Sequence, residues 1–296
     1  MANLKELFNK KDHSNVRSIL ELAGAIGERK NTEVYVVGGF VRDLILGKTL
    51  NDIDLMTVGD GILFAKSLAK SLGVKKVVSF KKYGTAIIPY KKIQIEVATA
   101  RTETYSKDSR SPSKVIYTDL YGDLIRRDFT INAMAMDIRP NYFGDFNDPY
   151  GGINDIDKRV LQTPLDPDET FSEDPLRMMR AAYFSSSLKF KIDPICFESI
   201  KRQSNRIEIV SMERIRDEFI KILRTTRPSI GLVILQKTGL MKIVFPEIDV
   251  MYGMDQTSEW NHKDIFAHTL QVVDNAAKLS TKMKLRFAAL VHDIAK

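Results

Sequence analysis

The chain has 296 residues, a formal net charge of +7 and a hydrophobic fraction of 44%. This length predicts more than one domain, and this apolar content excludes a mainly disordered chain. Its one cysteine, Cys196, excludes a disulfide framework and favours a reducing cytoplasm. The charged N-terminus and the lack of an apolar run of ~20 residues predict neither a secretory signal nor a membrane span. The basic excess favours a polyanionic partner, because lysines and arginines that neutralise phosphates release counterions.

Hydrophobic periodicity predicts an ordered series of short elements in the first 100 residues. Helix, strand, helix, strand, helix and three strands are expected at 16–29, 33–37, 41–46, 53–56, 61–72, 74–80, 85–89 and 93–98. The polar stretch 102–114 has no periodicity and predicts a mobile loop. Beyond about Leu161 nearly everything has a helical pattern. The fold class is therefore α+β, with a mixed α/β head followed by an all-helical remainder.

A pair of glycines, Gly38 and Gly39, stands between the first predicted strand and the second helix. Glycines there let backbone amides approach a phosphate, and a helix N-terminus adds positive potential. Arg42 follows within one turn and carries a fork of donors suited to phosphate oxygens. A plain tight turn is the alternative interpretation of the glycines alone.

Two carboxylates, Asp52 and Asp54, are spaced i, i+2 on the next strand and so share a face. Like charges held together repel unless a cation lies between them, and carboxylate oxygens suit Mg²⁺. Glu96, flanked by apolar residues on a later strand, is a candidate third carboxylate. The alternatives are a solvated strand start for the aspartates and an outward-facing residue for Glu96.

The layout of glycine pair, helix and two-aspartate strand resembles the DNA polymerase β-like nucleotidyltransferases. Within them, the chain resembles the tRNA nucleotidyltransferase and poly(A) polymerase branch, specifically its bacterial-type (class II) CCA-adding enzymes. The first motif of that branch is similar to Gly38-Gly39-x-Val41-Arg42-Asp43 followed by Asp52-x-Asp54. The resemblance continues from about Tyr35 to the C-terminus. It implies a polymerase β-like catalytic head over 1–137, a helical neck with base recognition over 138–225, and a helical body over 226–296.

Later segments resemble further motifs of the branch. The run 126–133 resembles the motif that holds ribose and triphosphate, which assigns Arg127, Asp128 and Asn132 to that task beside the Gly38-Gly39 turn and Arg42. The run 148–152, with Asp155, resembles the hinge between head and neck, although an ordinary interdomain turn would look the same.

The run Glu173-Asp174-Pro175-Leu176-Arg177, with Arg180, resembles the segment that recognises the incoming base. Asp174 and Arg177 are expected on one helix, projecting to the same side. A carboxylate accepts and a guanidinium donates, which complements the amine and ring nitrogen of cytosine and adenine but not uracil or guanine. A surface ion pair is the alternative. The neck helix over 211–218 is expected to support this pocket.

The resemblance implies attack by the tRNA 3′-hydroxyl on the α-phosphate of CTP or ATP, with two Mg²⁺ ions held by Asp52 and Asp54, and by Glu96 in addition. The partners implied are the 3′ end and acceptor region of tRNA. CC-adding enzymes are short in the loop between the first two motifs, and the presence of this loop here, over 101–112, favours an enzyme that can add A. Full CCA addition is the expected activity. An A-adding enzyme that works with a separate CC-adding enzyme is the main alternative, and a poly(A) polymerase is disfavoured.

Near the C-terminus, His268, His292 and Asp293 resemble metal ligands of HD phosphohydrolase domains. The later aspartate of that motif is not in the sequence, so we expect a fragment of a longer protein, an incomplete site and a helix-packing role for the histidines. Rival interpretations are an HD-type phosphohydrolase, a small-molecule nucleotidyltransferase and a catalytically idle RNA-binding protein. The sequence does not predict an oligomeric state.

Overall fold

The computed structural model describes residues 3–9, 14–50, 52–106, 109–253, 255–258 and 261–294, and it describes no side chains over 103–115 or 254–263. The chain divides into two compact units. The first comprises Met1–Tyr105 and Pro112–Lys158, and the second comprises Ser106–Ser111 and Arg159–Lys296. Among the described residues, every helix is too short or too polar to cross a bilayer.

The first unit is built on a mixed sheet. Its strands are β1 (Glu33–Val37), β2 (Asp52–Val58), β3 (Val78–Phe80), β4 (Thr85–Tyr90), β5 (Ile93–Thr99), β8 (Ala135–Asp137) and β9 (Phe146–Asn147), and they lie in the order β3-β4-β5-β2-β1-β8-β9. The strands β6 (Arg101–Ser106) and β7 (Ser109–Tyr117) form a separate pair. The helices are α1 (Ser14–Arg29), α2 (Gly39–Ile45), α3 (Gly61–Ser71), α4 (Leu120–Ile125) and α5 (Gly152–Lys158). Only β2 and β5 pair in parallel among the neighbours described in this sheet.

The side chains of β2 alternate between the two faces of the sheet. Ile53 and Leu55 are fully buried, and the sheet face they occupy is covered by α1 and α3. Met56 points to the opposite face, where it packs with Leu124 of α4. Because strand side chains alternate with a period of two, Asp52 and Asp54 share the face of Met56. The aspartates therefore begin the strand on the face away from α1 and α3.

The predicted elements of the head are confirmed with two exceptions. The strand predicted over 74–80 begins only at Val78, after a left-handed turn at Gly73. The mobile loop predicted over 102–114 is wrong, because β6 and β7 lie there, although residues 107 and 108 are outside the described part of the chain. Threonine, tyrosine, valine and isoleucine in these segments favour extended backbone, and strand pairing needs no periodic burial.

The second unit is mainly helical, as predicted. Its helices are α6 (Pro167–Glu173), α7 (Leu176–Leu188), α8 (Pro194–Gln203), α9 (Met212–Arg224), α10 (Pro228–Lys237), α11 (Leu240–Val244), α12 (Pro246–Asp249), α13 (Ile265–Leu279) and α14 (Met283–Val291). Two short strand pairs interrupt them, β10 (Val160–Leu161) with β11 (Lys191–Ile192), and β12 (Asp255–Ser258) with β13 (Asn261–Asp264).

A glycine, Gly231, stands where helix α10 crosses α7. A Cβ at Gly231 would lie 2.8 Å from Ser186 Oγ and 3.0 Å from the Ala182 carbonyl oxygen. The Gly231 amide donates a hydrogen bond of 2.7 Å to Ser186 Oγ. This close contact joins the two helices at the centre of the second unit.

Candidate functional site

Three carboxylates are placed side by side by the parallel pairing of β2 and β5. Asp54 is the register partner of Glu96, and Asp52 is the partner of Gln94. Register partners in adjacent strands project from the same face, so Glu96 lies beside Asp54 on the face that also carries Asp52. Asp52 is exposed, whereas Asp54 and Glu96 are partly buried. The structure thus brings Glu96 to the aspartate pair.

The electrostatics of Asp54 reflect this neighbourhood. Burial raises the pKa of Asp54 to about 6, the charges of Glu96 and Asp52 add to the rise, and the charges of Arg127 and Arg42 oppose it. Hard carboxylate oxygens whose mutual repulsion raises a pKa are the donor set that suits a divalent cation such as Mg²⁺. Asp52, Asp54 and Glu96 fit such an ion.

We expect Asp54 to make the stability of the metal-free protein depend on pH. A carboxyl whose pKa is raised by folding stabilises the fold while it is neutral, and that stability is lost as the pH rises through 6. In EDTA, the free energy of unfolding of Asp54→Asn should match wild type near pH 4. It should exceed wild type by on the order of 2 kcal/mol at pH 8. Urea unfolding of both proteins at pH 4 and pH 8 measures these free energies. The same difference between Asp54→Asn and wild type at the two pH values would contradict the prediction.

The Gly38-Gly39 turn lies directly beneath Arg127. Gly38 has a φ of +69°, a left-handed conformation that glycine adopts without strain. A Cβ at Gly38 would lie 2.7 Å from Arg127 Nη1. The turn therefore needs glycine for two reasons, its backbone conformation and the approach of this guanidinium.

Arg42 joins the first predicted motif to the second. Its Nε and Nη2 each donate to Asp43 at 2.9 Å, and its Nη1 donates to Asn132 Oδ1 at 2.6 Å. The residue is only 9% exposed. Arg42 was predicted to hold triphosphate, and the structure places its guanidinium against protein partners at the floor of the turn.

The second motif is held by its own hydrogen bonds. Asp128 Oδ1 accepts the Phe129 amide at 2.9 Å and Asn132 Nδ2 at 3.0 Å. Asp128 and Asn132 are both buried. Together with Arg42, they form one connected polar group beside the glycine turn.

Asp123 was not predicted, and it positions the arginines of the second motif. This 1% exposed carboxylate accepts from Arg126 Nη2 at 2.7 Å and from Arg127 Nη2 at 2.8 Å. Burial raises its pKa, but the charges of Arg127 and Arg126 outweigh burial and hold the pKa below its usual value. The i, i+3 and i, i+4 spacing was the available signal. Among the described residues, buried Arg127 Nε has no hydrogen-bond partner.

The segment predicted as a hinge caps helix α5. Asp148 accepts the amides of Gly152 at 2.7 Å and Ile153 at 3.0 Å. Asp155 Oδ2 accepts from Thr130 Oγ1 at 2.6 Å. All three hydrogen bonds lie within the first unit.

In the second unit, Asp174 and Arg177 do not share a helix, which corrects the prediction. Asp174 has an extended backbone between α6 and α7, because Pro175 disfavours helical geometry in the residue before it. Its Oδ2 lies 3.5 Å from Arg214 Nη2. Arg177 Nη1 donates to the Thr170 carbonyl at 3.0 Å and to Glu173 at 3.2 Å.

Two further arginines, Arg180 and Arg214, form ion pairs near Asp174 and Arg177. Arg180 Nη1 lies 3.9 Å from Glu218, a residue of the neck helix that is 4% exposed. Arg214 was predicted only as part of that supporting helix, and its pairing with Asp174 was missed. Arg214 is three residues into α9, and sequence spacing gives no signal for a contact 40 residues away.

The three HD-like residues come together from the first turn of α13, which holds His268, and from the residues just after α14, His292 and Asp293. His292 Nε2 lies 3.2 Å and His268 Nε2 lies 3.9 Å from Asp293 Oδ2. Within the described part of the chain, this is the one group of three His, Cys, Asp or Glu donors that all lie within 4.8 Å of one another. Imidazole and carboxylate donors of this kind could hold a transition-metal ion.

Comparison with known families and proteins identifies the family of the chain. The model of the poly(A) polymerase head domain matches residues 34–162, and that of the probable RNA- and SrmB-binding site of polymerase A matches residues 189–252. A multifunctional CCA protein of Vibrio campbellii is 37% identical over 273 residues, which cover 89% of this chain. The chain spans 64% of the length of that curated relative.

Solved structures are similar over most of the chain. A tRNA nucleotidyltransferase complexed with a primer tRNA and an incoming ATP analogue is 30% identical, with a TM-score of 0.72 over 91% of this chain and 75% of that one. A tRNA-processing enzyme with CTP is also 30% identical, with a TM-score of 0.71 over 91% of this chain and 69% of that one. The fold and the site therefore define a polymerase β-like nucleotidyltransferase. The chain belongs to the tRNA nucleotidyltransferase and poly(A) polymerase family.

Proposed function

We propose that the protein adds CCA to the 3′ end of tRNA from CTP and ATP without a nucleic-acid template. The observation that carries this proposal is the register of β2 and β5, which sets Asp54 beside Glu96 on the face of Asp52. Relatives that bind primer tRNA, an ATP analogue and CTP support the choice of substrates. Nucleotide transfer needs such a carboxylate group next to a phosphate-binding turn.

In the proposed reaction the 3′-hydroxyl oxygen of tRNA bonds to the α-phosphorus and gives up its proton to solvent water. The bond from that phosphorus to the bridging oxygen breaks, and pyrophosphate departs. Two Mg²⁺ ions, when bound, would lower the pKa of the hydroxyl and neutralise the leaving phosphates. Asp52 and Asp54 would hold the ions, with Glu96 as a third carboxylate.

The residues around the carboxylates bind the triphosphate and ribose. Backbone amides at Gly38-Gly39 face the phosphates, and the Arg127 guanidinium above the turn neutralises their charge. Asp128 and Asn132, both buried and linked by a 3.0 Å hydrogen bond, orient the ribose. Arg42 fixes Asn132 from below and adds positive potential at Asp54.

We further propose that Asp174 and Arg177, with Glu173 and Arg180, select cytosine and adenine. Replacing Arg177 with alanine should raise incorporation of UMP and GMP relative to CMP and AMP about tenfold or more, because a mismatched buried donor costs ~1–3 kcal/mol. Competing all four nucleotides in one reaction and sequencing the products measures the ratio. Arg224→Ala, at an exposed position of α9, is the matched control. An unchanged ratio in Arg177→Ala would contradict the assignment.

Addition to staged transcripts tests the proposed specificity. Transcripts that end before CCA, after C and after CC are incubated with Mg²⁺ and each nucleotide separately. Two C residues followed by one A are expected. Addition of A only to the CC-ended transcript would instead identify the A-adding half of a pair, and long A tails would identify a poly(A) polymerase.

A further inference from the structure

A second pocket lies in the first unit, at the end of β2 opposite to Asp52. Its volume is about 580 Å³, and Gly59, Gly84 and Thr99 form part of its lining. Gly59 directly follows β2, whereas Asp52 begins that strand. At ~3.3 Å per residue, Gly59 is therefore about 20 Å along the strand from Asp52. By the same rise, Thr99 is about 10 Å along β5 from Glu96. This volume is within the range of small-ligand sites.

One wall of this pocket offers an exposed aromatic ring beside an aliphatic side chain. Tyr117 is 65% exposed and Leu63 is 57% exposed. Gly84 has a φ of +60°, and a Cβ there would lie 3.5 Å from Tyr117 Cε1. The glycine thus lets the ring lie close to the backbone at one edge while most of the ring remains open to solvent.

The rim carries two lysines, Lys66 on α3 and Lys81 before β4. Both are exposed, and neither forms an ion pair with any residue that the structure describes. The one lining carboxylate, Asp60, caps α3 by accepting the Leu63 amide at 2.9 Å. The rim is therefore net positive around an aromatic and aliphatic wall.

We propose that this pocket binds an unstacked nucleotide of the RNA substrate, with the base on Tyr117 and the flanking phosphates on Lys66 and Lys81. Stacking on an aromatic face accepts every base, and lysines follow the backbone, which suits a substrate class whose members differ in sequence. This inference rests on the proposed function, because it makes the pocket a second RNA contact of a nucleotidyltransferase.

Fluorescence anisotropy with a labelled tRNA transcript lacking CCA tests the pocket. Tyr117→Ala should weaken binding about five- to tenfold, and Tyr117→Phe should bind like wild type because the ring is kept. Lys66→Ala with Lys81→Ala should reduce the slope of log affinity against log salt by about 1.4, from two phosphate contacts on a single strand.

The matched control is Lys30→Ala with Lys92→Ala, which removes two exposed lysines elsewhere on the same unit. The control should leave the salt slope unchanged, and the KM for CTP should be unchanged in every variant. Equal affinity and slope in wild type, Tyr117→Ala and the Lys66/Lys81 double variant would overturn the proposed pocket even if wild type transfers nucleotides. A wild type that binds RNA through this pocket but transfers no nucleotide would instead overturn the proposed function.

Discussion

Replacing Asp52 or Asp54 with alanine is expected to reduce nucleotide incorporation into tRNA at least about a thousandfold. The aspartates share one face of β2, and Asp54 has both Asp52 and Glu96 as charged neighbours. Without either aspartate, the charge that develops on the attacking and leaving oxygens loses its stabilising ion. Initial rates of labelled CMP transfer measure the effect.

Replacing Glu96 with glutamine is expected to lower nucleotide incorporation less than replacing either aspartate. Because Glu96 is a third carboxylate beside the aspartate pair, we expect the rate of incorporation to fall only about ten- to a hundredfold in Glu96→Gln. A higher Mg²⁺ concentration should partly restore that rate. RNA affinity, measured separately by anisotropy, should be unchanged in all three variants. Retention of more than about a tenth of the wild-type rate in Asp52→Ala or Asp54→Ala would show that these residues are not the metal ligands.

Replacing Arg286 with methionine is expected to destabilise the second unit by about 3–5 kcal/mol. Arg286 is 4% exposed, and every hydrogen bond described for its guanidinium is to a backbone carbonyl. These carbonyls belong to Leu223 and Thr225 at the end of α9, and to Ala277 and Ser280 at the end of α13. Helix C-termini carry negative potential, so methionine would leave them buried and unsatisfied.

Thermal unfolding followed by circular dichroism measures this loss, and we expect a fall in Tm of roughly 10 °C. Arg216→Met is the matched control, because Arg216 on α9 pairs with Asp217 while 62% of its side chain is exposed. An exposed pair contributes less than about 1 kcal/mol. Equal shifts in the two variants would contradict the structural role of Arg286.

Most of the head could be predicted from sequence because its signals are local. The two-residue spacing of Asp52 and Asp54 on an alternating strand was enough to place them on one face. The glycine pair likewise predicted the turn now seen at Gly38. Glu96 could only be nominated, because strand register depends on pairing across the sheet and not on nearby residues.

The parts that were missed have two causes, local signals that were not used and packing between distant segments. Asp123 lies at i, i+3 and i, i+4 spacing from Arg126 and Arg127, whereas Arg214 contacts Asp174 across 40 residues, which sequence spacing does not specify. Asp174 was placed on a helix from spacing alone, whereas Pro175 keeps it outside. The strands β6 and β7 were missed because their polar sequence shows no hydrophobic periodicity, although the backbone groups still pair.

The central claim is that this site transfers nucleotides to RNA, and the stoichiometry of transfer tests it most directly. Wild-type protein, Mg²⁺, CTP and a transcript lacking CCA should release one pyrophosphate for each CMP incorporated, with no reaction in EDTA. CMP incorporation and pyrophosphate release would be followed in the same samples. Pyrophosphate release without incorporation into RNA, or incorporation that persists in EDTA, would contradict the account.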